Sequence, residues 1–190
     1  MSFTDGVSSR SEKKSLEAIK TRKQNSKKVE KLLKFKWINN LSYPDNQLDT
    51  IPLLEIIREI EKVTDLIKPT IVYTHSTSDL NIDHRTVGHA TLTALRPEPK
   101  QYCKEIRMFE IPSSTDFSFG KINTYFTPNI FLEITKFWKK KEIALKSYKK
   151  EMKKYPNSRS LKGVLNLAKV RGNQSGVQMA EAFELVRRFI

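Results

Sequence analysis

With 190 residues the chain is long enough for one domain with a proper hydrophobic core and too short to expect two. No apolar run approaches the roughly 20 residues that cross a bilayer, and no charged-then-apolar leader precedes a cleavage site, so membrane-spanning and secreted classes give way to an expected cytoplasmic protein. The lone cysteine, Cys103, excludes an internal disulfide and a thiolate metal cage and is expected to be a half-buried structural residue, while a net charge of +14 raises the question of an anionic partner.

In chain order, residues 1–4 read as the end of a strand that turns at Asp5-Gly6, after which Ser9 or Ser11 can cap a helix running to about Phe35. That helix lies in the first of two basic runs: residues 10–36 hold eleven Lys or Arg against three Glu, and residues 136–154 hold nine Lys against two Glu. Neither run interleaves the aromatics that stack bases, so solvated lysine faces are expected and nucleic acid is not, with an anionic membrane surface left open. A short strand is predicted at Trp37–Leu41 and a turn at residues 43–49. Thr50 is expected to cap a helix with Pro52 in its first turn, because Leu53, Ile56, Ile57, Ile60, Val63 and Ile67 recur at three and four. Beyond Pro69, Thr70–Tyr73 reads as a buried strand and Val87–Leu95 as a helix. Strands are predicted at Glu105–Ile111 and Asn129–Ile134, on either side of an aromatic loop at Phe117–Phe126. Three helices follow, at about Thr135–Lys153, Ser158–Val170 and Val177–Ile190, with Trp138, Leu145, Tyr148 and Met152 expected to face a core. Alternating strands and helices predict an α/β fold, in one domain spanning residues 1–190.

The chemistry concentrates in Thr74–Arg85, where His75, Asp79, Asn81, Asp83 and His84 put two imidazoles, two carboxylates and an amide into ten residues. The cluster follows a strand, and in open α/β sheets ligands gather at the carboxyl ends of strands. His84 can be aimed at a divalent metal while Asp83 orients a neighbouring ligand, a water or the imidazole. The alternative is that Asp83 caps the next helix and His84 is a polar first-turn residue. His75 is placed to join a site or to be a satisfied hydrogen-bonding histidine. His89, about 140° round a helix from His84, cannot chelate with it from one face and is read as a packing or surface residue.

The pattern His-x-x-x-Asp-x-Asn-x-Asp-His-Arg from His75 to Arg85 resembles the second metal motif of the PIG-L (LmbE-like) family of zinc-dependent N-deacetylases. Segments beginning at Thr4, Pro44, Thr93, Tyr155 and Arg171 agree with that family in order and spacing. The resemblance implies a Rossmann-like three-layer sandwich with a mostly parallel sheet, N-terminally truncated. Family members open with a strand ending in His-Pro-Asp-Asp-Glu, which supplies a histidine and an aspartate to the metal and another aspartate as general base. No such segment occurs in this sequence, and Tyr43-Pro-Asp-Asn46 does not replace it.

The implied activity is metal-dependent hydrolysis of an N-acetyl group on a glucosamine-type sugar conjugate. His84 is the matching zinc ligand, Asp83 its supporting carboxylate, and Asn81 the group at the oxyanion position, where many members have histidine. Arg10, Asp5, His75 and Asp79 are expected on the substrate side. With one assured ligand where catalytic zinc sites have about three plus water, zinc is expected to bind weakly or not at all. The chain is then expected to be either a reading begun downstream of a full-length enzyme or a degenerate member, with a non-catalytic carbohydrate-binding protein and, behind it, a nucleic-acid binder using the two lysine faces as the rival classes.

Overall fold

The structure is a computed structural model that describes residues 1–10, 16–99, 102–119 and 125–190. The chain divides into two compact units, Met1–Asp45 with Phe131–Glu181 and Asn46–Ile130 with Ala182–Ile190.

In the first unit, strand β1 (Ser2–Thr4) pairs in parallel with β2 (Asn40–Tyr43). Helix α1 (Leu16–Leu33) carries a sparse apolar stripe on a strongly basic helix and buries only Val29. It packs against α4 (Trp138–Ser147), which buries only Ala144. Helix α5 (Leu161–Ser175) is capped by Ser160, whose hydroxyl accepts from the Gly163 N–H, and it ends at Gly176 in the left-handed conformation.

In the second unit, α2 (Leu53–Ile67) turns Ile56, Ile57 and Ile60 inward, as its three-and-four spacing dictates, and packs on α3 (Ile82–Ala94). Lys68 ends α2 in a left-handed conformation, and Pro69 starts the run into β3 (Ile71–His75). β3 pairs in parallel with β4 (Glu105–Phe109), which pairs antiparallel with β6 (Ala180–Arg188). With β5 (Ile130–Glu133) the sheet order is β3-β4-β6-β5, where β5 from Phe131 onward and β6 up to Glu181 are counted in the first unit. A small core of Leu95, Cys103 and Ile106, backed by Val72, Leu92 and Tyr102, fixes α3 over this sheet.

Several expectations are corrected. Val177–Ile190 is not a helix: although rich in helix formers, its buried residues Ala180, Ala182 and Phe183 lie on a strand whose ladder with β4 satisfies the backbone. The expected Thr135–Lys153 helix is shorter, a 3-10 turn at Thr135–Phe137 followed by α4, and Trp138, Leu145, Tyr148 and Met152 are half-buried. β2 lies toward the carboxyl end of the Trp37–Leu41 expectation because the Trp37 N–H is already spent on the Glu30 carboxylate. Thr50 closes a 3-10 turn at Leu48–Thr50, and Pro52 is the residue preceding α2. Cys103 is fully buried. Ser11 and residues 120–124 of the aromatic loop lie outside the described residues.

Candidate functional site

The backbone brings the polar cluster together through one close approach. Gly88 lets α3 lie against the end of β3, where a Cβ would come within 2.8 Å of the His75 carbonyl oxygen. The Thr74 hydroxyl donates to that of Thr91 at 3.0 Å and ties the two elements at the same level. Asn81 caps α3: its Oδ1 accepts from the N–H groups of Asp83 at 2.8 Å and His84 at 3.3 Å. His84 therefore stands in the first turn of α3, its ring stacked on that of His75 with centroids 4.5 Å apart and 20° between planes.

Asp79 anchors the arrangement. It is 0% exposed, and its carboxylate receives the Ser114 hydroxyl, the Thr115 hydroxyl at 2.8 Å and the Asn81 N–H at 2.8 Å. His84 Nδ1 stands 3.1 Å from Asp79 Oδ1 and 3.4 Å from Ser114 Oγ. Burial pushes this carboxyl up, but the hydrogen bond and charge of His84, with Ser114 and the Asn81 N–H, outweigh it and hold the group below the usual carboxylate range. Asp79 thus fixes the ring and directs the Nδ1 proton, leaving Nε2 with no hydrogen-bond partner among the described residues.

His75 is held neutral. Its ring lies between His84 and Phe109, the latter at 4.8 Å between centroids, and its Nδ1 is buried with no hydrogen-bond partner among the described residues. Burial first and then the neighbouring His84 push its pKa down to about 3, against a weaker opposing pull from Asp79.

The remaining predicted residues have other occupations. Asp83, read as the partner of His84, is buried and accepts the N–H groups of Asn46 at 2.7 Å and Leu48 at 2.9 Å, so it pins the 46–48 backbone. It does not cap α3. Asn81, read at the oxyanion position, spends Oδ1 on the cap and donates from Nδ2 to Asn46 Oδ1 at 2.7 Å. Asp79, read as a substrate contact, is sealed from solvent. In the other unit, Asp5 accepts from the N–H groups of Val7 and Ser8 at 3.0 and 2.9 Å, holding the turn before the 3-10 residues Ser8–Arg10. The Arg10 side chain lies outside the described residues. His89 is exposed on α3.

Three residues escaped the sequence reading. Ser114 and Thr115 follow β4, the parallel neighbour of β3; a Pro-Ser-Ser-Thr-Asp turn beside a strand end that carries ligating groups was the available signal. Glu184 interacts with Ser76 and accepts from the Thr127 N–H. Burial and Glu110 push its carboxyl up, against Thr127 and Ser76. It was hidden because its segment read as a helix.

These residues do not make a metal cage. Among the described residues no group of three or more His, Cys, Asp or Glu is disposed to hold an ion. The two stacked imidazoles cannot substitute for one, because nearly parallel rings direct their in-plane lone pairs alongside each other, whereas two nitrogens at about 2.1 Å must converge on a shared zinc. What this arrangement supplies is one oriented imidazole.

The fold has solved counterparts. N,N'-diacetylchitobiose deacetylase from Pyrococcus horikoshii is similar with a TM-score of 0.74 and 18% identity, over 97% of this chain and 71% of its own. GalB, the 4-carboxy-2-hydroxymuconate hydratase from Pseudomonas putida KT2440, gives 0.71 and 17% over 100% and 83%. The zinc-inhibited form of teicoplanin deacetylase Orf2 gives 0.61 and 15% over 90% and 75%. At these identities the likeness establishes the fold, an α/β three-layer sandwich class that serves deacetylases and a hydratase alike. The model of the PIG-L family, described as GlcNAc-PI de-N-acetylase, matches residues 1–95, which include the whole segment from His75 to His84. By that match across one half of its length, this chain belongs to the PIG-L family.

Proposed function

We propose that the chain carries part of the site of a metal-dependent hydrolase that removes an N-acetyl group from a glucosamine-type sugar conjugate, with activity impaired in the sequence as it stands. The observation that carries this reading is the Asp79–His84 couple: a buried carboxylate takes one imidazole nitrogen and so presents the other in a defined orientation at the end of β3. That is the treatment given to a metal-ligating histidine. Asp79 holds the proton on Nδ1, Ser114 and Thr115 hold Asp79, and Asn81 sets the position of His84 by capping its helix. Asp5 and Arg10 are assigned to the sugar by family resemblance.

The absence of a ligand group of three among the described residues favours a second reading, an amino-sugar-binding protein that does not hydrolyse. One set of measurements separates them: calorimetry with zinc and with N-acetylglucosaminides, together with acetate release. Weak zinc binding that disappears in His84→Ala, with trace acetate release that disappears alongside it, supports the hydrolase reading. Sugar binding that is indifferent to both zinc and His84→Ala, with no acetate released, supports the binding protein. Undiminished zinc affinity in His84→Ala would remove the ligand role altogether.

A further inference from the structure

The two basic runs, a hundred residues apart in sequence, meet on one surface. Helices α1 and α4 pack together, and beside their contact lies an apolar groove of about 510 Å³. Its walls are Leu32, Leu33, Ile134, Phe137, Leu145 and Tyr148. Two of these are strongly solvent-exposed, Phe137 at 59% and Leu33 at 45%. Lys34 and Lys140 line the same groove, and Lys141 does so while paired with Glu181 at 2.6 Å. Further out, Lys31 on α1 and Lys136 and Lys139 near the start of α4 are exposed.

We propose that this face docks on an anionic phospholipid bilayer, with Phe137 and Leu33 entering the interface and the surrounding lysines on the headgroup phosphates. Charge complementarity selects the partner. Residues 10–36 and 136–154 carry a surplus of positive charge, and juxtamembrane lysines gain from the negative surface potential of anionic lipid. The groove selects between polyanions: a nucleic-acid duplex has phosphates for the lysines but keeps its bases stacked inside, with nothing to fill an apolar trough or cover an exposed phenylalanine, whereas a lipid interface offers both. This inference concerns the first unit alone and stands apart from the hydrolase reading.

The test is co-sedimentation of the full chain with vesicles of phosphatidylcholine alone and of an equal mixture with phosphatidylglycerol, across a salt series. Quenching of Trp138 and Trp37 fluorescence by brominated acyl chains reports insertion. Binding confined to the mixed vesicles, weakened by salt, is expected. Each of Lys139→Ala and Lys140→Ala should lower affinity roughly five-fold. Phe137→Ser, at an exposed position, should lower it about tenfold and reduce quenching while leaving the salt dependence in place. A thermal melt checks that each variant folds. Equal binding to neutral vesicles, or absence of quenching, would overturn the proposal. So would indifference to Phe137→Ser with displacement of the vesicles by duplex DNA, which would make the face a nucleic-acid surface.

Discussion

Asp79 and Asp83 sit four residues apart at the mouth of the same helix and do opposite work. Asp79 faces side chains: two hydroxyls, one imidazole and a single backbone N–H. Asp83 faces backbone, taking the N–H groups of Asn46 and Leu48. Adjacency in sequence therefore misleads about adjacency in chemistry. The acid next to His84 in the chain builds the loop beneath it, and the acid five residues back governs its ring. A residue's immediate neighbour on a helix points about 100° away, whereas the chain before the cap can fold back over the first turn.

The largest expected effect sharpens the difference by separating what titrates from what only scaffolds. His75 has a folded pKa of about 3 against 6.5 unfolded, so below pH 6.5 the unfolded chain binds a proton that the folded chain refuses. Stability should fall as pH falls from 6.5 to about 3, by on the order of 4 kcal/mol in all. Asp79 adds a second window. Its folded pKa is depressed, so the stability it contributes is present above the ordinary carboxylate value and is lost as pH falls through the folded one. Urea denaturation at stepped pH should show both windows in the native sequence and only the acid one in His75→Phe. A variant that keeps the upper window would show that a different group is responsible.

Asp83→Ala comes next. Two N–H groups lose a charged acceptor, and Leu48 is 1% exposed, so a cost of roughly 2–4 kcal/mol is expected in chemical denaturation. Asp83→Asn, which still offers one acceptor, should lose about half as much. Asp79→Asn should cost roughly 1–3 kcal/mol and, in addition, release the ring. Nitrogen-15 correlation spectra should show the His84 tautomer with its proton on Nδ1 in the native chain and in Asp83→Asn, but a mixture in Asp79→Asn. Identical spectra for the two asparagine variants would break the distinction between the acids.

The elements that were legible in the sequence were those whose pattern and tertiary role agree. α2 shows it: Ile56, Ile57 and Ile60 recur with helical period and are the residues buried. β6 is the counterexample, since Ala, Glu, Leu and Arg favour a helix locally and it is the pairing with β4 on one side and β5 on the other that makes that segment a strand. At the site, the place of His84 between a strand end and a helix was legible in the sequence, but its partner was not. The Asp79 shell is closed by Ser114 and Thr115, which lie 35 and 36 residues downstream, and no local spacing rule reaches that far.

The smallest effect isolates the cap that holds both acids in place. Asn81→Ala removes the acceptor for two α3 N–H groups and should cost about 1 kcal/mol. It also removes the donor to Asn46 Oδ1, an exposed contact worth about a few tenths of a kcal/mol at most. Asn81→Ser keeps a capping oxygen and loses only that contact, so it should lie within about 0.5 kcal/mol of the native chain. If the serine variant proves as unstable as the alanine one, the Asn46 contact rather than the cap is what fixes the loop. In that case Asp83, bound to the same backbone, would owe its orientation to Asn46 and not to the helix it begins.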